Sequence, residues 1–203
     1  MPLMPKPNDL TALLLAGGQS RRFGRDKARA RVGSQTMLQH VYCVVQAVTP
    51  HVLLSIRADG DAYLDLLPEA IPRLPDPLPH AGPLAGLVAG LRAATTSWLL
   101  AVACDLPGLT PETLSCLLKA RTAQANAVVP ITPDGQRHPL CALYHVPSVQ
   151  PIAEAHLAAG CLALHALLER LHVMTVPLAP FALHNINTPA DLAAFGRNWP
   201  LAH

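Results

Sequence analysis

The sequence predicts an α/β fold with three layers, in which helices cover both faces of a mostly parallel central sheet. Two apolar runs carry this prediction: residues 10–16, which lead into Gly17-Gly18, and residues 98–104, which lead into Asp105. Continuous apolar runs of this length are typical of parallel strands buried on both faces. Between the two runs, apolar residues recur at helical spacing, as expected for the helices that connect parallel strands.

The elements of the first half alternate between strand and helix. Residues 36–48 carry apolar side chains at helical spacing and predict the first helix, and residues 51–56 predict the second strand. Residues 71–74 predict a weak strand, because prolines lie at both of its ends. Pro83 begins a second helix, whose apolar residues fall at i, i+3, i+4 and i+7. This strand–helix–strand order predicts a single Rossmann-like α/β/α domain.

The second half is less regular. Thr110-Pro111 offers an N-cap followed by a proline in the first helical turn, and so predicts a helix start. Residues 127–131 and 140–145 predict strands, and residues 149–170 predict a helix with a break at a glycine. Thr188-Pro189-Ala190-Asp191 predicts the start of a closing helix. The pattern does not predict how these strands pair.

Length and composition predict one folded domain. The chain has 203 residues, of which 51% are hydrophobic and 14% are charged; this composition favours a compact, apolar protein over a disordered one. Residues 1–9 are rich in proline and lack the apolar segment of a signal peptide, so they predict a loose leader before a domain over residues 10–203. Five cysteines, an odd number without any Cys-x-x-Cys pair, favour a reducing cytoplasm over a disulfide framework or zinc ribbon.

Charge and hydropathy narrow the choice of partners. A net charge of +2 is too small for a general nucleic-acid binder. The most apolar stretch, residues 81–104, is interrupted by Arg92 and by Thr95-Thr96-Ser97, which leaves pieces too short to span a bilayer. The sequence therefore predicts neither a nucleic acid nor a membrane as partner.

A glycine-rich, cationic loop follows the first strand and predicts a phosphate site. Gly17 and Gly18 allow a close approach of the backbone, and their amides can bind oxyanions. Four cations follow within one short loop: Arg21, Arg22, Arg25 and Lys27. The spacing matches neither Gly-x-Gly-x-x-Gly nor Gly-x-x-x-x-Gly-Lys-Ser/Thr, so the loop differs from the two common phosphate-binding loops. The predicted ligand is a nucleotide.

Two carboxylates are predicted at the same edge of the sheet as the glycine loop. Ligands of open α/β sheets bind outside the carboxyl ends of the strands, where Gly17-Gly18, Asp76 and Asp105 are all expected. Directly after a buried strand, Asp105 is suited to bind Mg²⁺ that bridges nucleotide phosphates. The alternative is that Asp105 caps the turn before Pro107.

Four ordered strings carry a family resemblance. The loop reads Leu-Ala-Gly-Gly-x-x-x-Arg-x-Gly-x-Asp-Lys, which resembles nucleotidyltransferases that act on sugar phosphates, terpenoid precursors and the molybdenum cofactor. The strings Gly-Pro-Leu-Ala-Gly at residues 82–86, Cys-Asp-Leu-Pro at residues 104–107 and Asn-x-Asn-Thr-Pro at residues 185–189 are together similar to the molybdenum cofactor guanylyltransferase family. The resemblance runs from about residue 11 to residue 195.

The resemblance implies roles for individual residues. The implied nucleotide-binding residues are Leu15, Ala16, Gly17, Gly18, Lys27, Ser55, Asp76 and Asp105. Ser55 stands where the family often has an asparagine, and Phe23 replaces a more usual methionine. The implied catalytic residues are Arg22, Lys27 and Asp105, with Asp105 as the ligand of Mg²⁺. Asn185 and Asn187 would face the pterin substrate; the alternative is an Asx turn before the helix cap.

The implied activity is transfer of GMP from GTP to molybdenum-molybdopterin, which yields a guanine dinucleotide cofactor and pyrophosphate. Molybdoenzymes or their chaperones are the implied protein partners. Two alternatives remain open: a cytidylyltransferase or sugar-phosphate nucleotidyltransferase of the same fold, and a non-catalytic nucleotide-binding protein that delivers the cofactor. The resemblance favours the guanylyl branch, although no single side chain identifies guanine.

Overall fold

The structure, a computed structural model, describes residues 8–16, 23, 24, 26–58, 63–78 and 81–198. The leader predicted for residues 1–9 lies almost wholly outside this part. The strands are β1 (Leu10–Leu15), β2 (Arg31–Val32), β3 (Gln35–Thr36), β4 (His51–Ile56), β5 (Arg73–Pro75), β6 (Trp98–Ala103), β7 (Ala127–Ile131), β8 (Cys141–His145) and β9 (Val173–Pro177). The α-helices are α1 (Met37–Gln46), α2 (Pro83–Ala93), α3 (Pro111–Lys119), α4 (Val146–Ala158), α5 (Leu164–Leu168) and α6 (Pro189–Asn198).

Seven strands form the central sheet in the order β5-β4-β1-β6-β8-β7-β9. All of them run in the same direction except β8, which is antiparallel to both of its neighbours. Strands β2 and β3 form a separate two-stranded hairpin. The mostly parallel sheet confirms the predicted α/β class.

Helices cover both faces of the sheet. On one face, α1 and α3 pack against the side chains of Leu10, Ala12 and Leu14 from β1. On the other face, α2, α4 and α5 pack against Leu13, the side chain that points the opposite way along the same strand. Buried side chains on both faces of β1 explain its continuous apolar run. The three predicted layers are confirmed.

The structure differs from the sequence-based prediction mainly in the second half. Strand β9 was not predicted: its residues Val-Met-Thr-Val-Pro form only a short run that ends in proline, and on this edge strand none of them is fully buried. Helix α4 begins at Val146 rather than at residue 149, with Pro147 in the first turn, where no intrahelical N–H is needed. The predicted break is present at Gly160, whose φ is +70°.

The apolar stretch at residues 81–104 divides into α2 and β6, as its interruptions predicted. Within the part of the chain that the structure describes, no helix is both long enough and apolar enough to cross a bilayer.

Candidate active site

The carboxyl ends of β5, β4, β1 and β6 lie side by side and bring Ala16, Ser55, Asp76 and Asp105 to one edge of the sheet. The ladder continues just past the strands: the amide of Ala16 donates to the carbonyl of Ser55 at 3.1 Å, and the amide of Asp76 donates to the carbonyl of Ile56 at 2.9 Å. On the other side of β1, the amide of Cys104 donates to the carbonyl of Leu15 at 3.2 Å. The backbone therefore fixes where each candidate residue leaves the sheet.

Lys27 and Asp105 form an ion pair at this edge. The Nζ atom of Lys27 lies 2.5 Å from Oδ2 of Asp105, and the two side chains are 14% and 12% exposed. Such low exposure limits screening by water and strengthens the attraction between the charges. The pair joins the end of the cationic loop to the end of β6, although 78 residues separate the two in sequence.

The segment that carries Lys27 is anchored on both sides of it. Lys27 begins a single 3-10 turn, and the side chain of Asp26 caps this turn by accepting from the amide of Ala28 at 3.0 Å. Arg29 donates two hydrogen bonds to the Asp65 carboxylate, at 2.7 and 2.9 Å, and lies over the Tyr63 ring at 5.5 Å. A bidentate arginine–carboxylate contact fixes direction as well as distance. Asp65 was not singled out from the sequence, since a charged pair 36 residues apart leaves no local pattern.

Both asparagines of the closing string contact the ion pair. Asn185 donates from Nδ2 to Oδ1 of Asp105 at 3.0 Å, and Lys27 donates to Oδ1 of Asn187 at 3.2 Å. The amide of Ile186, between the two asparagines, donates to the main-chain carbonyl of Asp105 at 2.9 Å. The structure thus places Lys27, Asp105, Asn185 and Asn187 in one hydrogen-bonded chain.

Asp76 and Ser55 form a second contact at the same edge. The buried hydroxyl of Ser55 donates to Oδ1 of Asp76 at 3.2 Å. Gly86 of α2 packs directly on this contact, because a Cβ at Gly86 would lie 2.5 Å from the Ser55 hydroxyl and 2.7 Å from the side chain of Leu15. The glycine string therefore lets α2 approach the strand ends closely.

Burial raises the pKa of the Asp76 carboxyl above its ordinary value, although the Ser55 hydroxyl and the positive charge of Arg57 oppose this shift. Because the pKa of Asp76 is higher in the folded state than in the unfolded state, the protonated carboxyl favours folding at low pH. This contribution is lost as the pH rises through the folded-state pKa. The ionised carboxylate of Asp76 therefore lowers the free energy of unfolding at neutral pH.

We expect Asp76→Asn to raise the melting temperature at pH 7, because an asparagine keeps the size of the side chain and can still accept from Ser55 without a buried charge. The gain should shrink as the pH falls and should vanish below about pH 3, where the wild-type carboxyl is also neutral. Thermal unfolding followed between pH 3 and pH 8 measures this difference.

Asp65→Asn is the control with the opposite sign. In the wild-type protein, hydrogen bonds from Arg29 lower the pKa of the Asp65 carboxyl, so the ionised form stabilises the fold at pH 7. The substitution should therefore lower the melting temperature at pH 7 and lose its effect in acid, where the carboxyl is protonated. A melting temperature of Asp76→Asn at or below that of wild type at pH 7 would contradict the unfavourable burial of Asp76.

A divalent cation at this edge would depend on Asp105. Among the described residues, no three histidine, cysteine, aspartate or glutamate side chains are grouped to hold a metal ion. Mg²⁺ does not need such a group, since it commonly binds one or two carboxylates together with phosphate oxygens and water. The Asp105 carboxylate is a hard oxygen donor fixed by Asn185, which fits this type of site.

Other predicted site residues lie outside the part that the structure describes. They are Gly17, Gly18, Arg21, Arg22 and Arg25. Their roles stay predictions. The described ends of the loop, Ala16 and Lys27, lie at the same sheet edge as Ser55, Asp76 and Asp105.

Comparison with known proteins shows the family to which the chain belongs. Residues 12–174 match the family model of the MobA-like NTP transferase domain. A protein of Vibrio cholerae named molybdenum cofactor guanylyltransferase is 32% identical over 202 residues, covering 96% of this chain and 95% of its own length. The chain is a nucleotidyltransferase. It belongs to the MobA-like NTP transferase family, and the resemblance drawn from the sequence is confirmed.

Solved structures share the fold. Molybdopterin-guanine dinucleotide biosynthesis protein A from Archaeoglobus fulgidus superposes with a TM-score of 0.76 at 23% identity, over 93% of this chain and 97% of that one. A 2-C-methyl-D-erythritol 4-phosphate cytidylyltransferase from Thermus thermophilus superposes with a TM-score of 0.69 at 17% identity, over 92% and 96%. The same architecture thus occurs in proteins named for different bases, so the fold alone does not identify the nucleotide.

Proposed function

We propose that this enzyme transfers GMP from GTP to molybdenum-molybdopterin, forming the guanine dinucleotide cofactor and pyrophosphate. The observation that carries this proposal is the Lys27–Asp105 pair, held by both asparagines of the closing string at the edge where the glycine loop leaves β1. The name of the Vibrio cholerae relative, which aligns over nearly the whole chain, supports the choice of guanine and of the molybdenum cofactor.

The reaction exchanges one phosphoanhydride bond for another. The terminal phosphate oxygen of the pterin attacks the α-phosphorus of GTP, the bond from that phosphorus to the bridging oxygen breaks, and pyrophosphate leaves with the electron pair. Phosphoryl-type transfers of this kind depend on positioning and on neutralising the developing charge. A fixed cation and a fixed carboxylate at the carboxyl edge of the sheet suit both requirements.

Each residue has a part in this proposal. Lys27 binds the phosphates of GTP, with Arg22 as the second cation by resemblance to the family. Asp105 holds Mg²⁺, which on binding would neutralise phosphate charge. Leu15, Ala16 and Asp76 line the nucleoside side, where the Ser55 hydroxyl orients Asp76. Further nucleotide contacts come from Gly17 and Gly18, and Asn185 and Asn187 face the pterin.

The test is pyrophosphate release by the purified protein with Mg²⁺ and molybdenum-loaded pterin, with GTP, CTP, ATP and UTP compared in parallel. We expect release with GTP that is at least about tenfold faster than with any other nucleotide, since the loss of specific base contacts costs a factor of this order or more. Reactions without pterin measure background hydrolysis and serve as the control.

The other outcomes correspond to the alternatives. Preference for CTP would overturn the guanylyl assignment while keeping the transfer chemistry. Pyrophosphate release with a sugar phosphate but not with the pterin would overturn the assignment of the pterin as the acceptor substrate. GTP binding without release under any condition would favour a non-catalytic protein that delivers the cofactor to molybdoenzymes or their chaperones.

A further inference from the structure

We propose that Asn185 and Asn187 are positioning residues for the nucleotide side of the site: Asn185 orients Asp105 for its metal, and Asn187 orients Lys27 for phosphate. This inference rests on the proposed metal-dependent nucleotide transfer. It adds a second task to residues that the family resemblance connects only with the pterin.

The two asparagine side chains on either side of Ile186 contact the same ion pair. Ile186 is fully buried in a cluster with Met37 and Phe195, so its neighbours Asn185 and Asn187 point away from that cluster. The Nδ2 atom of Asn185 reaches Oδ1 of Asp105, while the main-chain amide of Ile186 holds the carbonyl of Asp105. Asp105 is therefore held by both its side chain and its backbone.

The two side chains are not required for the turn that follows them. The amides of Asn187 and Thr188 both donate to Oδ2 of Asp191 at 2.9 Å, and Thr188 accepts from the amide of Asp191 at 3.1 Å. An Asx turn from Asn187 would need an amide hydrogen at residue 189, which is a proline. Thr188 and Asp191 make the turn, and the asparagine side chains contact the ion pair instead.

These contacts have different consequences for metal and phosphate. Asn185 occupies one lone-pair direction of Oδ1 and limits rotation of the Asp105 carboxylate, so the remaining oxygen positions keep a fixed direction. The ammonium group of Lys27 can exchange its hydrogen bond to Asp105 for one to a nucleotide phosphate while it still donates to Asn187. Removal of Asn185 should therefore affect metal binding, and removal of Asn187 should affect phosphate binding.

Binding of the pterin substrate can be coupled to this network through the side-chain amides of Asn185 and Asn187. Within the described part of the chain, Oδ1 of Asn185 and Nδ2 of Asn187 make no hydrogen bond, whereas the other end of each amide contacts the ion pair. A substrate that binds these outer atoms would limit rotation of both amides, and thereby fix Asp105 and Lys27 more tightly.

The experiment compares Asn185→Ala and Asn187→Ala with wild type by nucleotide-binding titrations, with and without Mg²⁺ and for all four nucleoside triphosphates. For Asn185→Ala we expect the Mg²⁺ concentration for half-maximal nucleotide binding to rise by about tenfold or more, because loss of a residue that orients a metal ligand has effects of this size. Binding without metal should stay within about twofold of wild type. Asn187→Ala should weaken binding even without metal.

Thr188→Ala is the matched control, because it removes the helix cap next to the asparagines and leaves the ion pair intact. It should lower the melting temperature without changing the Mg²⁺ requirement. An unchanged Mg²⁺ requirement in Asn185→Ala, or an equal rise in Thr188→Ala, would overturn the inference. A preference for another base would overturn the guanylyl assignment alone, since the shift in metal dependence is measured with whichever nucleotide binds. A wild-type nucleotide affinity that does not change when Mg²⁺ is added would overturn the positioning role of Asn185.

Discussion

Asp105→Asn is expected to lower turnover by about a thousandfold while the protein stays folded. The substitution keeps the shape of the side chain but removes the negative charge that faces Lys27 at 2.5 Å. A neutral amide binds Mg²⁺ more weakly than a carboxylate does, and loss of metal-assisted charge stabilisation costs several kcal/mol, or about three decades in rate. The measurement is the single-turnover rate of pyrophosphate release at saturating Mg²⁺ and nucleotide.

The fold should survive this change because the Asp105 carbonyl still accepts from the amide of Ile186. We expect a loss of about 1–3 kcal/mol in the free energy of unfolding, less than for a fully buried pair, because water still reaches part of both side chains. Glu154→Gln is the control, because it also replaces an ion-paired carboxylate by its amide. The ion pair of Glu154 is with Arg92 at 2.7 Å and joins helices α4 and α2, away from the site. Near-normal Mg²⁺-dependent turnover in Asp105→Asn would contradict the proposed metal site.

The sequence predicted which described residues lie together at the carboxyl edge of the sheet, because this edge follows from the positions of the parallel strands. Continuous apolar runs identified β1 and β6, and β4 was predicted as the strand after the first helix. The carboxyl ends of neighbouring parallel strands necessarily lie at one edge. Asp76 and Asp105 could therefore be placed together without any knowledge of side-chain contacts. The structure places both at that edge, and their roles there stay proposals.

The second half was harder to predict for two physical reasons. Strand β8 runs antiparallel between β6 and β7, and an apolar run buried on both faces does not reveal its direction. Strand β9 lies at the sheet edge, and its short run Val-Met-Thr-Val ends in a proline, so the sequence does not distinguish this strand from a loop.

Contacts between distant segments left no trace in the sequence pattern. The bond from Asn185 to Asp105 joins residues 80 positions apart, and the bond from Lys27 to Asn187 joins residues 160 positions apart. Local chemistry left the asparagines equally compatible with a turn and with a substrate contact. Only the folded chain shows that Thr188 and Asp191 form the turn, which leaves the asparagine side chains for the ion pair.

The electrostatic design of the site has a cost in stability. Burial of Asp76 raises its pKa and disfavours the ionised form on which its proposed contact with the nucleotide depends. Functional sites commonly keep such unfavourable charges, and a bound ligand then satisfies them. The stabilisation expected of Asp76→Asn is therefore the counterpart of the nucleotide-binding role that we propose for this carboxylate.

Gly108→Ala is expected to lower both stability and turnover. The segment at residues 181–187, called the closing segment below, lies directly on the loop after β6. A Cβ at Gly108 would overlap the carbonyl oxygen of Phe181 and would lie 3.2 Å from Cα of Ala182. Both are backbone atoms, so the segment that leads to Asn185 must move. Steric overlap of this kind costs about 1–3 kcal/mol in the free energy of unfolding. We also expect a loss of turnover of about tenfold or more, since Asn185 would no longer hold Asp105.

Gly196→Ala separates this effect from the general effect of replacing a glycine. Gly196 lies in α6 with open space where its Cβ would project, so alanine there should be neutral or should add up to about 1 kcal/mol through its higher helix propensity. Denaturant unfolding and single-turnover rates for the two variants give the comparison. Wild-type stability and turnover in Gly108→Ala would contradict the close packing of the closing segment on the loop after β6. If it lost turnover and also required more Mg²⁺, the defect would lie in the orientation of Asp105, the same defect expected of Asn185→Ala.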